Sequence, residues 1–234
     1  MKNLNLINLN RQIVDDKKLI LKGLTNKKQK YLLPKFFYDE KGSKLFNKIT
    51  NLKDYYPTSK ELEILVQNKN EFTKKLPNNS TIVEFGSGSN KKINQFIKSL
   101  KNPTEYVPID ISKDYLFTNA AIIAKKFKDL KVTAICADFN QIKKLRRILS
   151  KKSKLVSFFP GSTIGNYLPK NAKLLLKNFS KIIGSGGYLV IGIDLIKNIK
   201  IIEKAYNDKS GITSLFNKNI LNVVNGKYNS SFKL

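Results

Sequence analysis

The 234 residues contain no histidine, one cysteine, three arginines and no apolar run that could cross a bilayer. Each shortage removes a class of function. Without imidazole there is no histidine general base, no histidine-ligated metal and no Ser/His or Cys/His nucleophile, so chemistry must rest on carboxylates, hydroxyls, amides and backbone. The lone Cys136, inside the apolar string VTAICADF, permits neither an intrachain disulfide nor a cysteine-based metal centre, and its setting predicts a buried strand residue. No metal is expected. The longest apolar stretch, Ala120 to Ala124, is far short of the roughly 20 residues a membrane helix needs. The asparagine-rich start MKNLNLINLN lacks a continuous apolar signal segment. The expectation is a cytoplasmic protein with no membrane partner.

Acidic residues are scarce too: 17 against 44 basic ones give a formal charge of +27. Such a balance ordinarily suggests a phosphate backbone as partner. Here lysine is spread along the whole chain beside heavy asparagine use, and arginine, whose fork suits phosphate, is nearly missing. Compositional bias therefore accounts for the charge better than a nucleic-acid face. The densest basic segment, Lys143 to Lys154, reads as a solvated helix face or, alternatively, as a nucleic-acid contact.

What is present has a clear order. The first 75 or so residues read as helices and loops. GSKLFNKITNL has helical spacing, and Thr58 to Glu61 forms a T-x-x-E capping box opening ELEILVQNKNEF. Pro57 disfavours helix at Tyr56, which would leave Tyr55 and Tyr56 on a connection. From residue 80, five short apolar strand signals (TIVEFG, EYVPIDI, KVTAICADF, KLVSFFPG, GGYLVIGID) alternate with four amphipathic helical ones. That alternation predicts an α/β fold with a doubly wound, mainly parallel sheet, its strands buried on both faces. After Asp194 come two helical patterns and a polar end, leaving the fifth strand without an evident neighbour on its outer side.

In such a sheet, ligands bind beyond the carboxyl ends of the strands, next to the first one. The loop there is VEFGSGSNKK. Gly86 and Gly88 remove the Cβ atoms that would keep a ligand from the backbone. Lys91 stands where a dinucleotide fingerprint needs its third glycine, which argues against a bound diphosphate. Asp110, 24 residues past Gly86, closes the second strand and suits a ribose diol; Asp138 closes the third and is followed by Phe139, a carboxylate and a ring for adenine. Either aspartate could instead cap the next helix. Taken in order, the glycine turn, diol acceptor and adenine pocket describe a nucleoside cofactor without a diphosphate, namely S-adenosylmethionine.

Longer strings are more specific. LPKFFYDEKGSKLFNKITNLKDYYPTSKELEIL, VEFGSGSNKK, YVPIDIS, FFPGSTIGNYLP, GIDLIKN and AYNDKSGITSLFNKNIL resemble the histidine-specific, S-adenosylmethionine-dependent methyltransferase family, which makes trimethylhistidine for ergothioneine. The resemblance implies a Rossmann-like class I methyltransferase fold with a small helical substrate subdomain. It implies cofactor contacts at Gly86, Lys92, Asp110, Asp138 and Phe139. On the substrate side it implies Tyr55 (or Tyr56 in the alternative register), Asn166 and Tyr206, the last two holding an α-carboxylate by neutral hydrogen bonds. Packing is the competing reading for Tyr55 and Tyr206, and a helix N-cap for Asn166. The expected division is residues 1–60 as the N-terminal part of the substrate subdomain, 61–195 as the cofactor domain and 196–234 as a partial substrate subdomain. The resemblance further implies a remainder beyond the matched strings, with a Glu and a Ser for the imidazole and the last strands of the sheet. A second chain could supply it, or the chain could be an inactive fragment.

The reaction so implied is direct displacement, a neutral α-amine attacking the sulfonium methyl in line. It needs positioning and little acid–base help, with the amine's proton leaving to solvent or through a hydroxyl such as Tyr38 or Tyr55; no catalytic base is assigned. The alternative is a nucleic-acid methyltransferase. Enzymes that methylate exocyclic base amines usually carry an Asn/Asp-Pro-Pro-aromatic string after the fourth strand, and this chain has FFPGSTIGN there.

Overall fold

The computed structural model describes residues 1–9, 16–88, 90–139, 141–152 and 154–233. Its elements run β1 (Leu4–Asn8), α1 (Asp16–Leu24), α2 (Glu40–Ile49), α3 (Tyr56–Gln67), α4 (Lys69–Lys75), β2 (Thr81–Phe85), α5 (Asn90–Lys98), β3 (Glu105–Asp110), α6 (Lys113–Lys126), β4 (Lys131–Cys136), α7 (Ile142–Leu149), β5 (Leu155–Phe159), α8 (Pro169–Ile183), β6 (Tyr188–Ile191), α9 (Ile199–Tyr206) and α10 (Ile212–Tyr228). Short 3₁₀ turns occupy Pro34–Phe37 and Thr163–Asn166. Two compact units result: residues 1–9 with 57–196, and 10–56 with 197–234.

The first unit is a six-stranded sheet in the order β1-β4-β3-β2-β5-β6, every pairing parallel. After β1 at one edge, the chain enters the middle of the sheet at β2, winds outward through β3 and β4, then returns to β5 and β6, in keeping with the alternation of strand and helix signals. Successive strand residues face opposite sides. Ile82, Tyr106, Val132, Val156 and Phe158 pack with Ile93 and Phe96 of α5 and Leu116 and Ile123 of α6. Val83, Phe85, Val107, Ile109 and Phe159 pack with Leu145 and Leu149 of α7 and Phe179 of α8. Each face has a stacked ring pair, Phe96 on Phe158 (4.3 Å between centroids) and Phe85 on Phe179 (3.9 Å). Cys136 is buried, as its setting predicts. The basic segment also has a plain explanation, because α7 buries Leu145 and Leu149 and turns Lys143, Lys144, Arg146 and Arg147 to solvent.

Two expectations fail here. The reading of residues 1–75 as helices and loops misses β1, which adds to the sheet edge beside β4 with Leu4 opposite Val132. LNLIN, with two asparagines in five residues, is too polar to announce a strand. It is held by pairing and by Asn3, whose Nδ2 donates to the carbonyls of Ala124 (3.0 Å), Phe127 (3.2 Å) and Leu130 (3.0 Å). Nor does Pro57 keep Tyr56 out of a helix: α3 begins at Tyr56. A proline in the first turn costs no hydrogen bond and arrives with helical φ, so it starts a helix as readily as it ends one. Thr58 therefore lies inside α3, buried, and the proposed capping box does not form; Glu61 is used elsewhere.

The second unit is helical. Ile20, Phe36, Ile220 and Val224 form one apolar cluster, and Leu45, Ile49, Tyr55 and Phe216 another. The string FYDEKGSKLF is explained by local geometry. Asp39 caps α2, its Oδ1 accepting from the Gly42 amide (2.7 Å) and from Asn219 Nδ2 on α10 (2.8 Å). A Cβ on Gly42 would lie 1.8 Å from the Phe37 carbonyl oxygen. Asp208 does the same service for α10, accepting from the amides of Ile212 (2.9 Å) and Thr213 (2.7 Å).

Candidate functional site

Register places the site. Phe85 of β2 lies opposite Ile109 of β3, and Asp110 opposite Cys136 of β4, so the three strands end together. The Ala137 amide donates to the Asp110 carbonyl (2.9 Å), carrying the pairing one step past β4 and leaving Asp138 and Phe139 at the same rim. Gly86, Asp110, Asp138 and Phe139, far apart in sequence, thus share the carboxyl edge of the sheet.

The glycine turn is tight. Gly86 has φ +80°, in the region that disfavours a side chain, and its amide donates to Ile109 O (2.9 Å) while the Gly88 amide donates to Gly86 O (2.9 Å). A Cβ on Gly86 would stand 3.8 Å from Phe139 Cζ, so the ring reaches across to the turn; one on Gly88 would meet no atom within 4 Å among the described residues, its chain neighbours aside. Phe139 is itself held edge-on by Phe85 (5.6 Å) and Phe179 (5.9 Å). Asn119 of α6 donates to the Gly88 carbonyl (3.3 Å), and Asn90 of α5 donates to Asn119 in turn (3.2 Å to Oδ1), so both flanking helices fix the loop.

Beneath the loop is a buried polar cluster. Glu84 accepts a short hydrogen bond from the Tyr106 hydroxyl, which lies 3.1 Å from Ser87 Oγ. Burial pushes the Glu84 carboxyl up to about 8, against the pull of the Tyr106 and Ser87 hydroxyls, so it is protonated at neutral pH. Burial, and then the neighbouring Glu84, raise the Tyr106 hydroxyl as well. Glu84 is therefore a support for the turn and not a free anion in the crevice. Asp110 differs. It is part-exposed at the rim, burial raises it to about 6, and the Ser112 and Ile111 amides pull it back, Ser112 N donating to Oδ1 at 2.8 Å. At neutral pH it is an anion that also braces the turn into α6. Asp138 faces Tyr167, whose hydroxyl is raised by burial and then by the Asp138 charge.

Lys92, one turn into α5, pairs with Glu61 of α3; the side chains are 12% and 14% exposed. Both Glu61 oxygens accept from the Gly161 amide, each at 2.8 Å, in the turn that follows β5. Asn166 ends the 3₁₀ turn just beyond and is exposed; α8 starts three residues later at Pro169, so Asn166 is not its N-cap.

In the helical unit, Tyr55 is 6% exposed and meets Tyr206 edge-to-face at 5.6 Å and Phe46 at 6.3 Å. The two tyrosines named from separate strings are thus neighbours. Tyr206 is half open. Tyr56 points elsewhere, its ring under the Lys197 ammonium at 4.7 Å.

Two anions at the rim repel a diphosphate, and the open space at Gly88 admits a ligand to the backbone; the set fits a nucleoside cofactor that carries positive charge. Sequence reasoning missed Glu61, Tyr106, Ser87 and Asn119. A polar residue inside an otherwise apolar strand, as with Glu84 and Tyr106, is the signal that could have found the buried pair.

The family described as histidine-specific methyltransferase, SAM-dependent, matches residues 16–234. Over 209 residues the chain is 34% identical to the histidine N-alpha-methyltransferase of Mycobacterium tuberculosis, covering 88% of this chain and 64% of that protein. It is 30% identical over 200 residues to ergothioneine biosynthesis protein 1 of Neurospora crassa, covering 83% of this chain and 22% of that one. The chain therefore spans about 64% of the length of its mycobacterial relatives. It belongs to the histidine-specific, S-adenosylmethionine-dependent methyltransferase family.

Proposed function

We propose that this chain is the cofactor-binding part of an N-methyltransferase that moves methyl groups from S-adenosylmethionine to the α-amine of an amino acid, L-histidine, to give trimethylhistidine. The observation that carries the reading is the shared rim of β2, β3 and β4, where Gly86, Asp110, Asp138 and Phe139 meet. Asp110 accepts from the ribose diol, Asp138 from the adenine amine, Phe139 packs on the base, and Gly86 and Gly88 let the cofactor approach the backbone. When bound, S-adenosylmethionine supplies a methyl group on a sulfonium, open to in-line attack.

The chain's own work is orientation and exclusion of water. Tyr55 (or Tyr56), Asn166 and Tyr206 are the residues this reading assigns to the amino-acid substrate. The α-amine attacks once neutral, its proton leaving to solvent or through a hydroxyl such as Tyr38 or Tyr55, and positioning supplies the rest. The buried thiol of Cys136 suits the reducing cytoplasm, where we place the protein.

The outer edge of β6 is bordered by exposed Tyr188, Leu189 and Ile193, a surface that another strand would cover. The test is methyl transfer from labelled S-adenosylmethionine to free histidine, to other amino acids and to RNA. Transfer to histidine is expected; transfer to RNA alone would overturn the reading.

A further inference from the structure

Glu61 makes more contacts than a helix-surface carboxylate needs. It pairs with Lys92 of α5, takes the Gly161 amide on both oxygens, and lies so close to Gly192 that a Cβ there would fall 1.9 Å from Oε1. The Lys92 ammonium in turn stands 3.4 Å from where a Cβ on Gly161 would be. One carboxylate thus gathers α5, which follows the glycine loop, the turn after β5, and the exit of β6. That turn runs through the left-handed region at Gly161 (φ +81°) and Ser162 (φ +52°). Gly192 leaves the room that the Glu61 carboxylate occupies. A largely buried ion pair seldom earns its desolvation cost in stability, and apolar side chains of like volume usually serve a fold as well. Its place at the carboxyl edge of the sheet points to a ligand.

We propose that Glu61 and Lys92 form a matched receptor for an α-amino-acid zwitterion, the methionyl end of the cofactor. Lys92 donates to its carboxylate and Glu61 accepts from its ammonium, so the internal ion pair is exchanged for two that mirror it. No net charge is buried in the exchange, which is how a mostly desolvated pair can open to a ligand without stranding either ion. The inference rests on the cofactor reading of the preceding subsection and adds Glu61 as a contact residue. It accounts for the glycine at 192 and for the bidentate hold on the Gly161 amide, which keeps the carboxylate in place when Lys92 turns to the ligand.

The test compares ligands with and without the zwitterion. S-adenosylmethionine and S-adenosylhomocysteine carry it; 5′-methylthioadenosine keeps the adenosyl thioether and lacks it. By titration calorimetry, wild type is expected to bind the first two at least tenfold tighter than the third. Glu61→Gln, which keeps an oxygen for the Gly161 amide, and Lys92→Met, which keeps the stem, should each weaken the first two by about tenfold or more and leave methylthioadenosine within about twofold. Unchanged melting temperature in either variant separates binding from folding. Equal losses for all three ligands, or no loss for any, would overturn the proposal. Wild type that binds methylthioadenosine as tightly as S-adenosylmethionine would overturn it while sparing the cofactor reading; wild type that binds none would remove both.

Discussion

Two stretches each pair an acid with glycine near a helix start, and they use these residues in opposite ways. In FYDEKGSKLF the acid, Asp39, spends itself on the Gly42 amide and Asn219, and Gly42 is hemmed in by the Phe37 carbonyl. In VEFGSGSNKK Gly88 is open: among the described residues, its chain neighbours aside, no atom lies within 4 Å of where its Cβ would be, and the acids at the same rim, Asp110 and Asp138, come from the ends of other strands. The first glycine makes room for the chain and the second for something else. A motif's specificity to a family therefore does not say whether it serves the fold or the ligand; the space around the glycine does.

The largest effect that sharpens this contrast is Gly42→Ala. Alanine gains up to about 1 kcal/mol of helix propensity, but the clash with a backbone oxygen costs more, so we expect a net loss of about 2 kcal/mol or more in chemical denaturation. Gly88→Ala should stay within about 0.5 kcal/mol of wild type in the same experiment and show its cost in cofactor affinity. Equal stability losses at the two positions would break the comparison. Next in size is Asp110→Asn, which removes a charged acceptor. A loss of roughly 1.5–3 kcal/mol corresponds to about 10- to 150-fold weaker S-adenosylmethionine binding, with the melting temperature little changed.

Strands β2 to β6 were legible as short apolar runs, although β6 at the sheet edge is exposed and not buried on both faces as expected, and Asp110 and Asp138 were legible because they close such runs. What escaped notice depends on partners distant in sequence. β1 is a strand by virtue of β4 and the Asn3 side chain. The start of α3 turned on whether Pro57 closes or opens a helix, which its neighbours in sequence do not decide. Glu61 looked like half of a capping box and is instead bound to residues 31 and 100 positions away. Tyr55 and Tyr206 occupy the middle ground: they meet edge-to-face, and that contact is ordinary aromatic packing.

Smaller effects come from pH. Asp110 titrates near 6 in the folded chain, and only its anion serves a diol, so affinity for S-adenosylmethionine should be level above about 7 and fall roughly tenfold per unit well below 6. Asp110→Asn should abolish that dependence. Glu84 works on stability. Its folded value, about 8, lies above the ordinary 4.5, so its protonated form stabilises the fold fully below about 4.5 and that contribution is lost as pH rises through 8. Glu84→Gln, a mimic of the protonated acid, should flatten the alkaline decline. Asp208 has the opposite sign. Although burial pushes it up, the Ser210 hydroxyl and the Thr213 and Ile212 amides hold it below 3.8, so its contribution is present above that value and is lost on acidification. Asp208→Asn should remove a small part of the acid sensitivity and leave the alkaline side unchanged.

The central claim is that the common end of β2, β3 and β4 receives an adenosyl group. A crystal structure of the chain grown with S-adenosylhomocysteine tests it most directly. The account predicts the ribose diol on Asp110 and the adenine against Phe139 beside Asp138. Density for the nucleoside anywhere else on the chain, with that rim left to solvent, would contradict it.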